Sequence, residues 1–142
     1  MNGLRSLLEQ KKFLYIGEPA TLDSIRMAEQ SLNLVFADDY VDYLKEFGYV
    51  SYYGHELTGI VPDKLNMISV VKITEENLEI HPQVPRDFYV IEELHIDDMI
   101  VWQNQEGEIY LTRGLSEPIL IGKSLLDYIS GDDSTNNSTS EM

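Results

Sequence analysis

Residues Leu32 to Ile60 read LNLVFADDYVDYLKEFGYVSYYGHELTGI, and this stretch decides the fold. Its first half is a punctuated helix. Tyr40, Tyr43, Leu44 and Phe47 recur at i, i+3, i+4 and i+7, so one helical face is apolar. Asp38 or Asp39 is placed to cap the N-terminus, where a short side-chain oxygen accepts an orphan backbone N–H and a carboxylate suits the positive end of the helix dipole. Gly48 stands where a left-handed residue would stop the helix. The period then changes. Tyr49, Val50, Tyr52 and Tyr53 are strand formers, Gly54 interrupts them, and His55 to Val61 returns as a second strand.

The regions on either side extend the pattern. Asn2 to about Phe13 reads as a helix with Leu4, Leu7 and Leu8 on one side. Gly17-Glu18-Pro19 breaks the chain. Thr21 is an N-cap candidate for a helix whose stripe is Leu22, Ile25, Ala28 and Leu32. Pro62-Asp63 marks a turn. Ser69 to Ile80 carries two signals, a strand-forming Val-Val-Lys-Ile start and a helix-forming Thr-Glu-Glu-Asn-Leu-Glu continuation. His81 to Pro85 is a loop, because each proline disfavours helix in the residue before it. Phe88 to Ile91, Met99 to Gln103 and Glu108 to Thr112 read as strands, the last two joined by Asn104 to Gly107, with Gly107 at positive φ. Pro118 to Ile121 adds an edge strand. Ser124 and Asp127 form a relative of the capping box that opens a short final helix.

Tyr40, Tyr43, Leu44 and Gly48, followed by Leu57 and Gly59, resemble the signature of the SMI1/KNR4 family, also called the SUKH superfamily. The family pattern has a helix, an apolar turn, a capped helix of the type P-x-x-Y-x-x-F/Y-L-x-x-x-G and an apolar element with glycine. Phe36-Ala37 stands here where the family usually has a proline before the acidic cap. The resemblance runs in order from roughly Thr21 to Ser130. It implies an α+β domain over residues 1–130, with N-terminal helices packed on a twisted antiparallel sheet and a C-terminal helix, and it places a helix at Ser69 to Ile80. The pattern of helices, then strands, then a helix agrees with that class. Residues 131–142, GDDSTNNSTSEM, hold too little apolar surface to offset ordering entropy and are expected to form a disordered polar tail.

Composition narrows the function. The chain has 142 residues, which suits a single domain. It has no cysteine, which excludes Cys-ligated zinc, thiol catalysis and disulfides, and fits a cytoplasmic protein. The N-terminal segment is broken by Arg5, Glu9, Lys11 and Lys12 and does not read as a secretory signal, and no stretch is apolar enough to span a membrane. Ten basic residues against 25 acidic ones give a net charge of −15. Such a surface repels nucleic-acid phosphates and draws in basic proteins, and it also keeps a protein soluble.

No catalytic constellation is visible. His55, His81 and His95 share no helical spacing, and His95-Ile96-Asp97-Asp98 is a loop or strand-end charge cluster sooner than a ligand set. Glu92-Glu93 and Asp97-Asp98 are the densest carboxylate pairs, but neighbours on a strand face opposite ways and cannot share one pocket. Gly114-Leu115-Ser116-Glu117 is no nucleophile elbow, and there is no phosphate-binding glycine loop. The sequence therefore points to no catalytic, metal-binding or cofactor-binding residue. Interface chemistry remains. Tyr52, Tyr53, His55 and Glu56 combine amphipathic rings with a carboxylate. The acidic run Asp87, Glu92, Glu93, Asp97, Asp98, Glu106 and Glu108 would form one patch for Lys and Arg if its members share a face. The candidate partner-binding residues are Tyr52, Tyr53, His55, Glu56, Glu92, Glu93, Asp97 and Asp98. Reversing the four acids Glu92, Glu93, Asp97 and Asp98 to Lys is expected to weaken binding without unfolding. Trp102 reads as core, with an indole N–H in need of an acceptor.

The resemblance implies one of two non-enzymatic functions. Bacterial members look like immunity proteins, which neutralise a polymorphic toxin, frequently a nuclease, by binding its toxic domain. Eukaryotic relatives look like regulatory interaction modules.

Overall fold

The computed structural model describes residues 2–61 and 68–131. The Pro62-Asp63 turn and the tail from residue 132 onward lie outside the described residues. Four helices, α1 (Asn2–Leu8), α2 (Leu22–Leu32), α3 (Asp38–Phe47) and α4 (Val70–Ile80), are followed late in the chain by α5, residues 125–131. The strands are β1 (Tyr15–Ile16), β2 (Val50–Tyr52), β3 (His55–Glu56), β4 (Tyr89–Glu93), β5 (Met99–Gln103), β6 (Ile109–Arg113) and β7 (Ile119–Gly122). They form two antiparallel sheets, β1-β2-β3 and β4-β5-β6-β7, so the domain is α+β as expected. No helix among the described residues is long and apolar enough to cross a membrane.

The four-stranded sheet separates two apolar clusters by the alternation of its side chains. Tyr89, Val101 and Ile109 face the main core, where Tyr40, Tyr43, Leu44 and Phe47 of α3 meet Ile25 and Leu32 of α2. Val90, Ile100 and Trp102 face the other way, toward Ile73 of α4 and Val84 and Phe88 of the loop after it. The Trp102 indole N–H donates to Thr112 Oγ1 at 2.9 Å, which supplies the acceptor it needs. The two sheets are joined where the chain leaves β3, since Thr58 donates from its N–H to Ile91 O at 2.8 Å and from its hydroxyl to Val90 O at 2.7 Å.

The ambiguous segment at Ser69 to Ile80 is helical. Ser69 is its N-cap, accepting from the Lys72 N–H. Thr21 caps α2 by accepting from the Ser24 N–H. At α5, Asp127 donates its N–H to Ser124 Oγ while its carboxylate accepts from the Lys123 N–H.

Several expectations are corrected. The first helix ends at Leu8, its last core contact, because the Glu9-Gln10-Lys11-Lys12 stretch offers no further buried residue; the chain turns there, and Phe13 emerges at φ 57. Leu22 is exposed, and Glu29 joins Ile25, Ala28 and Leu32 on the buried face of α2. The N-cap of α3 is Ala37, without a side-chain bond. Asp39 is drawn instead to the start of α5 and the end of β5, accepting from Leu125 N–H at 2.7 Å and Gln103 Nε2 at 3.0 Å. Gly48 has positive φ but not the left-handed helical conformation: at φ 75, ψ −60 it makes a γ-turn, with the Tyr49 N–H bonded to Phe47 O. Only glycine fits, because a Cβ there would overlap Glu18 O, and a Cβ on Gly59 would overlap Gly48 O. The second hairpin strand is two residues long, because after a last bond from Leu57 N–H to Val50 O of β2 the chain departs at Thr58 to bond β4.

One irregularity positions the candidate site. Val90 pairs with Trp102 and Glu92 with Val101, so Ile91 is an extra residue in β4, a β-bulge. Beyond it the faces are reassigned: Glu92 lies on the main-core side and Glu93 on the α4 side.

Candidate functional site

The bulge brings Glu92 under the β2–β3 hairpin. Its side chain is 1% exposed and joins three elements. Oε2 meets His55 Nδ1 at 2.8 Å, and Oε1 accepts from the Tyr128 hydroxyl of α5 at 2.6 Å. The Tyr52 ring, also buried, lies 4.9 Å from the His55 ring and receives Lys11 Nζ on its face at 5.3 Å. Tyr53 points outward and meets the exposed Phe13 ring at 5.9 Å.

Glu93 turns the other way. Its Oε2 accepts from Asn77 Nδ2 at 2.9 Å, and the same nitrogen donates to Ile73 O, so a buried amide of α4 fixes the carboxylate. The chain then makes the tight turn His95 to Asp98, in which His95, Asp97 and Asp98 all have positive φ and exposed side chains. The turn is held by Leu94 N–H to Met99 O, Met99 N–H to Ile96 O and Gly114 N–H to Asp98 O.

Two clefts share Glu93 and His95 as a common wall. The smaller, about 330 Å³, lies between the hairpin and the end of β4, with Phe13, Tyr53, His55, Glu56 and Glu92 around it. The larger, about 560 Å³, lies between the end of α4 and the turns at 95–98 and 114–115, with Ile80, Ile96, Asp97, Asp98 and Leu115 around it. All eight candidate residues therefore fall at one end of the molecule. Tyr53, Glu56, Asp97 and Asp98 are exposed, while His55 and Glu93 are partly covered. Tyr52 and Glu92 are interior and hold the surface in place instead of presenting themselves to a partner.

The longer acidic run does not share a face. Asp87 precedes β4 at the end where Tyr89 pairs with Gln103, and Glu106 and Glu108 sit at the β5–β6 hairpin beside that same end. Asp97 and Asp98 lie at the opposite end of β5, a full strand length away. Glu108 is satisfied locally: bonds from Asn104 and then Tyr110 hold its carboxyl below the usual carboxylate range. The Lys-reversal expectation fails for Glu92, whose replacement would place an ammonium in the core.

Sequence reasoning missed Phe13, Asn77, Ile80, Ile96 and Leu115 as surface-forming residues. Ile80 and Ile96 carried a signal: each is a lone aliphatic residue flanked by charged or titratable neighbours, Glu79-Ile80-His81 and His95-Ile96-Asp97. Among the described residues no group of three or more His, Asp or Glu side chains gathers as a metal site would require, the His95-Asp97-Asp98 turn included.

The family model described as SMI1-KNR4 cell-wall, of the SUKH group, matches residues 22–129. The chain belongs to this family. The SMI1-KNR4 positions Tyr40, Tyr43, Leu44, Gly48, Leu57 and Gly59 all prove to be core or close-packing residues. A solved structure described as a protein from Pseudomonas syringae pv. tomato has a similar fold, with a TM-score of 0.71 at 15% identity, covering 91% of this chain and 94% of that one. No curated protein matches the chain in sequence. The SMI1-KNR4 scaffold thus accounts for the interior, and the two-cleft end is a surface built upon it.

Proposed function

We propose that this SUKH-family protein is an immunity protein: in the cytoplasm it binds the toxic domain of a cognate polymorphic toxin, a basic nuclease domain, and neutralises it by one-to-one occlusion. The observation that carries this reading is the family match across residues 22–129. The surface supports it. A net charge of −15 favours encounter with a basic protein. The exposed Tyr53, Phe13, Ile96 and Leu115 offer the apolar contact area that charge alone cannot supply. On this reading the protein acts by binding and performs no chemistry of its own.

The test is co-expression with the toxin domain encoded beside its gene. Cells survive and the two proteins co-elute in gel filtration if the proposal holds. Cell death with no complex would sink it. A gene standing alone, with no toxin neighbour, would move the assignment to a regulatory interaction module.

A further inference from the structure

We infer that the larger cleft, between the end of α4 and the turns at 95–98 and 114–115, is an anchor for one arginine side chain of a partner protein, with an apolar partner residue lying beside it. The partner's identity rests on the immunity reading; the chemistry of the cleft does not.

Three large aliphatic side chains stand open around this cleft, Leu115 at 70%, Ile80 at 64% and Ile96 at 56% exposure. They come from three separate segments, so their convergence is a property of the fold and not of one apolar run. Exposed singly they would need no explanation; together on the rim of a cleft of about 560 Å³ they form an apolar contact area.

The charge of the cleft selects the occupant. Glu93, Asp97 and Asp98 line it, and the cation beside it, Arg113, is turned onto the Met99 sulfur at 3.5 Å instead of onto a carboxylate. Asn77 holds one oxygen of Glu93, and the other accepts no hydrogen bond from the described residues. Asn77 is itself buried and tied to Ile73 O, so the carboxylate is positioned before any partner arrives. That preorganisation lowers the ordering cost of binding.

Arginine fits these walls better than lysine. Its guanidinium is planar and weakly hydrated, so it can lie against aliphatic side chains while donating to a carboxylate. A compact, strongly hydrated ammonium loses more on entering a half-apolar cleft. The smaller cleft is a poorer anchor for a cation. Its deepest carboxylate, Glu92, is engaged by His55 and Tyr128, and Lys11 already occupies the Tyr52 face beside it.

The experiment titrates the isotopically labelled full chain with the capped dipeptide acetyl-Leu-Arg-amide, followed by amide NMR shifts at low ionic strength. Acetyl-Leu-Gln-amide is the uncharged control. Saturable shifts at Glu93, Ile96, Asp98 and Leu115 are expected, with binding weakened about tenfold for the glutamine peptide and for the Glu93→Gln protein. Leu115→Ser should weaken binding while leaving the thermal transition in place, since that side chain packs against solvent. The inference is overturned by shifts scattered over the whole acidic surface, by an equal response to both peptides, by indifference to Glu93→Gln, or by no saturable shift at millimolar peptide. The readout needs no toxin, so its failure leaves the co-expression result standing, and the converse also holds.

Discussion

On one side of β4 the Glu92 carboxylate is enclosed by a histidine, a tyrosine and the main core; on the other, the carboxylate of Glu93 has one oxygen fixed by Asn77 and the other turned to an open cleft. The two residues are adjacent in sequence and identical in type. A strand's alternation separates them, and the bulge at Ile91 decides which one goes inside. The contrast teaches that the acidic character of this chain has two unrelated settings. One carboxylate clasps the hairpin and α5 to the sheet, and the other lines an open cleft.

The strongest way to break this comparison is to move charge into the two positions. Glu92→Lys removes the partner of His55 and Tyr128 and buries an ammonium among apolar neighbours. Breaking a buried pair in this way costs about 3–5 kcal/mol, a large share of a domain's stability. The expected outcome is a protein that is largely unfolded or strongly shifted in urea denaturation. Glu93→Lys at the cleft should shift the same transition far less. Equal destabilisation by both would mean that the two carboxylates are not separated as described.

Alkaline titration sharpens the interior half. Burial pushes the phenols of Tyr40, Tyr43 and Tyr89 above their ordinary value, and the charge of Glu92 adds to the effect at Tyr43. Their folded-state pKa is raised, so the stability they contribute is fully present below about pH 10, the unfolded value, and is lost as pH rises from there toward the folded value. Each buried tyrosine should lower stability by about 1.4 kcal/mol per pH unit in that window. Urea midpoints measured between neutral pH and pH 11 should stay flat and then fall. Tyr40→Phe should make the fall shallower, while Glu93→Gln should leave its slope unchanged.

Much of the interior was legible in the sequence because it obeys periods. The stripe of α3, the caps at Thr21 and Ser124, the β5–β6 hairpin with Gly107 and the buried Trp102 all follow from spacing and residue type. What escaped was set by events without a period. The bulge at Ile91 reassigns Glu92 and Glu93 but has no local signature in a run of β-forming and acidic residues. Asp39 looks like a helix cap until α5 folds back to claim it, a contact across 86 positions. The acidic run from Asp87 to Glu108 looked like a patch because its members are close in sequence, whereas hairpin folding sends them to opposite ends of one sheet. The cleft was invisible for the same reason: Ile80, Ile96 and Leu115 converge only in three dimensions.

The finest distinction lies within the surface itself, between Glu93 and the two aspartates of the neighbouring turn. Glu93 is partly covered and held by Asn77, whereas Asp97 and Asp98 are exposed, with no hydrogen bond from the described residues to their carboxylates. Rim charges steer encounter, and a positioned, partly desolvated carboxylate holds the complex together. On the proposed immunity reading, Asp97→Asn with Asp98→Asn should therefore slow association with the toxin domain severalfold and leave dissociation nearly unchanged. Glu93→Gln should do the reverse. Raising salt from low to physiological should slow association of the wild type more than it speeds dissociation, and should do so less in the double aspartate variant, because the Debye length shrinks to about 8 Å and screens the outermost charges first. Surface-binding kinetics at two salt concentrations separate these outcomes. An association rate indifferent to both salt and the aspartates would place the partner on another face, and would reduce the Glu92–Glu93 contrast to a matter of folding alone.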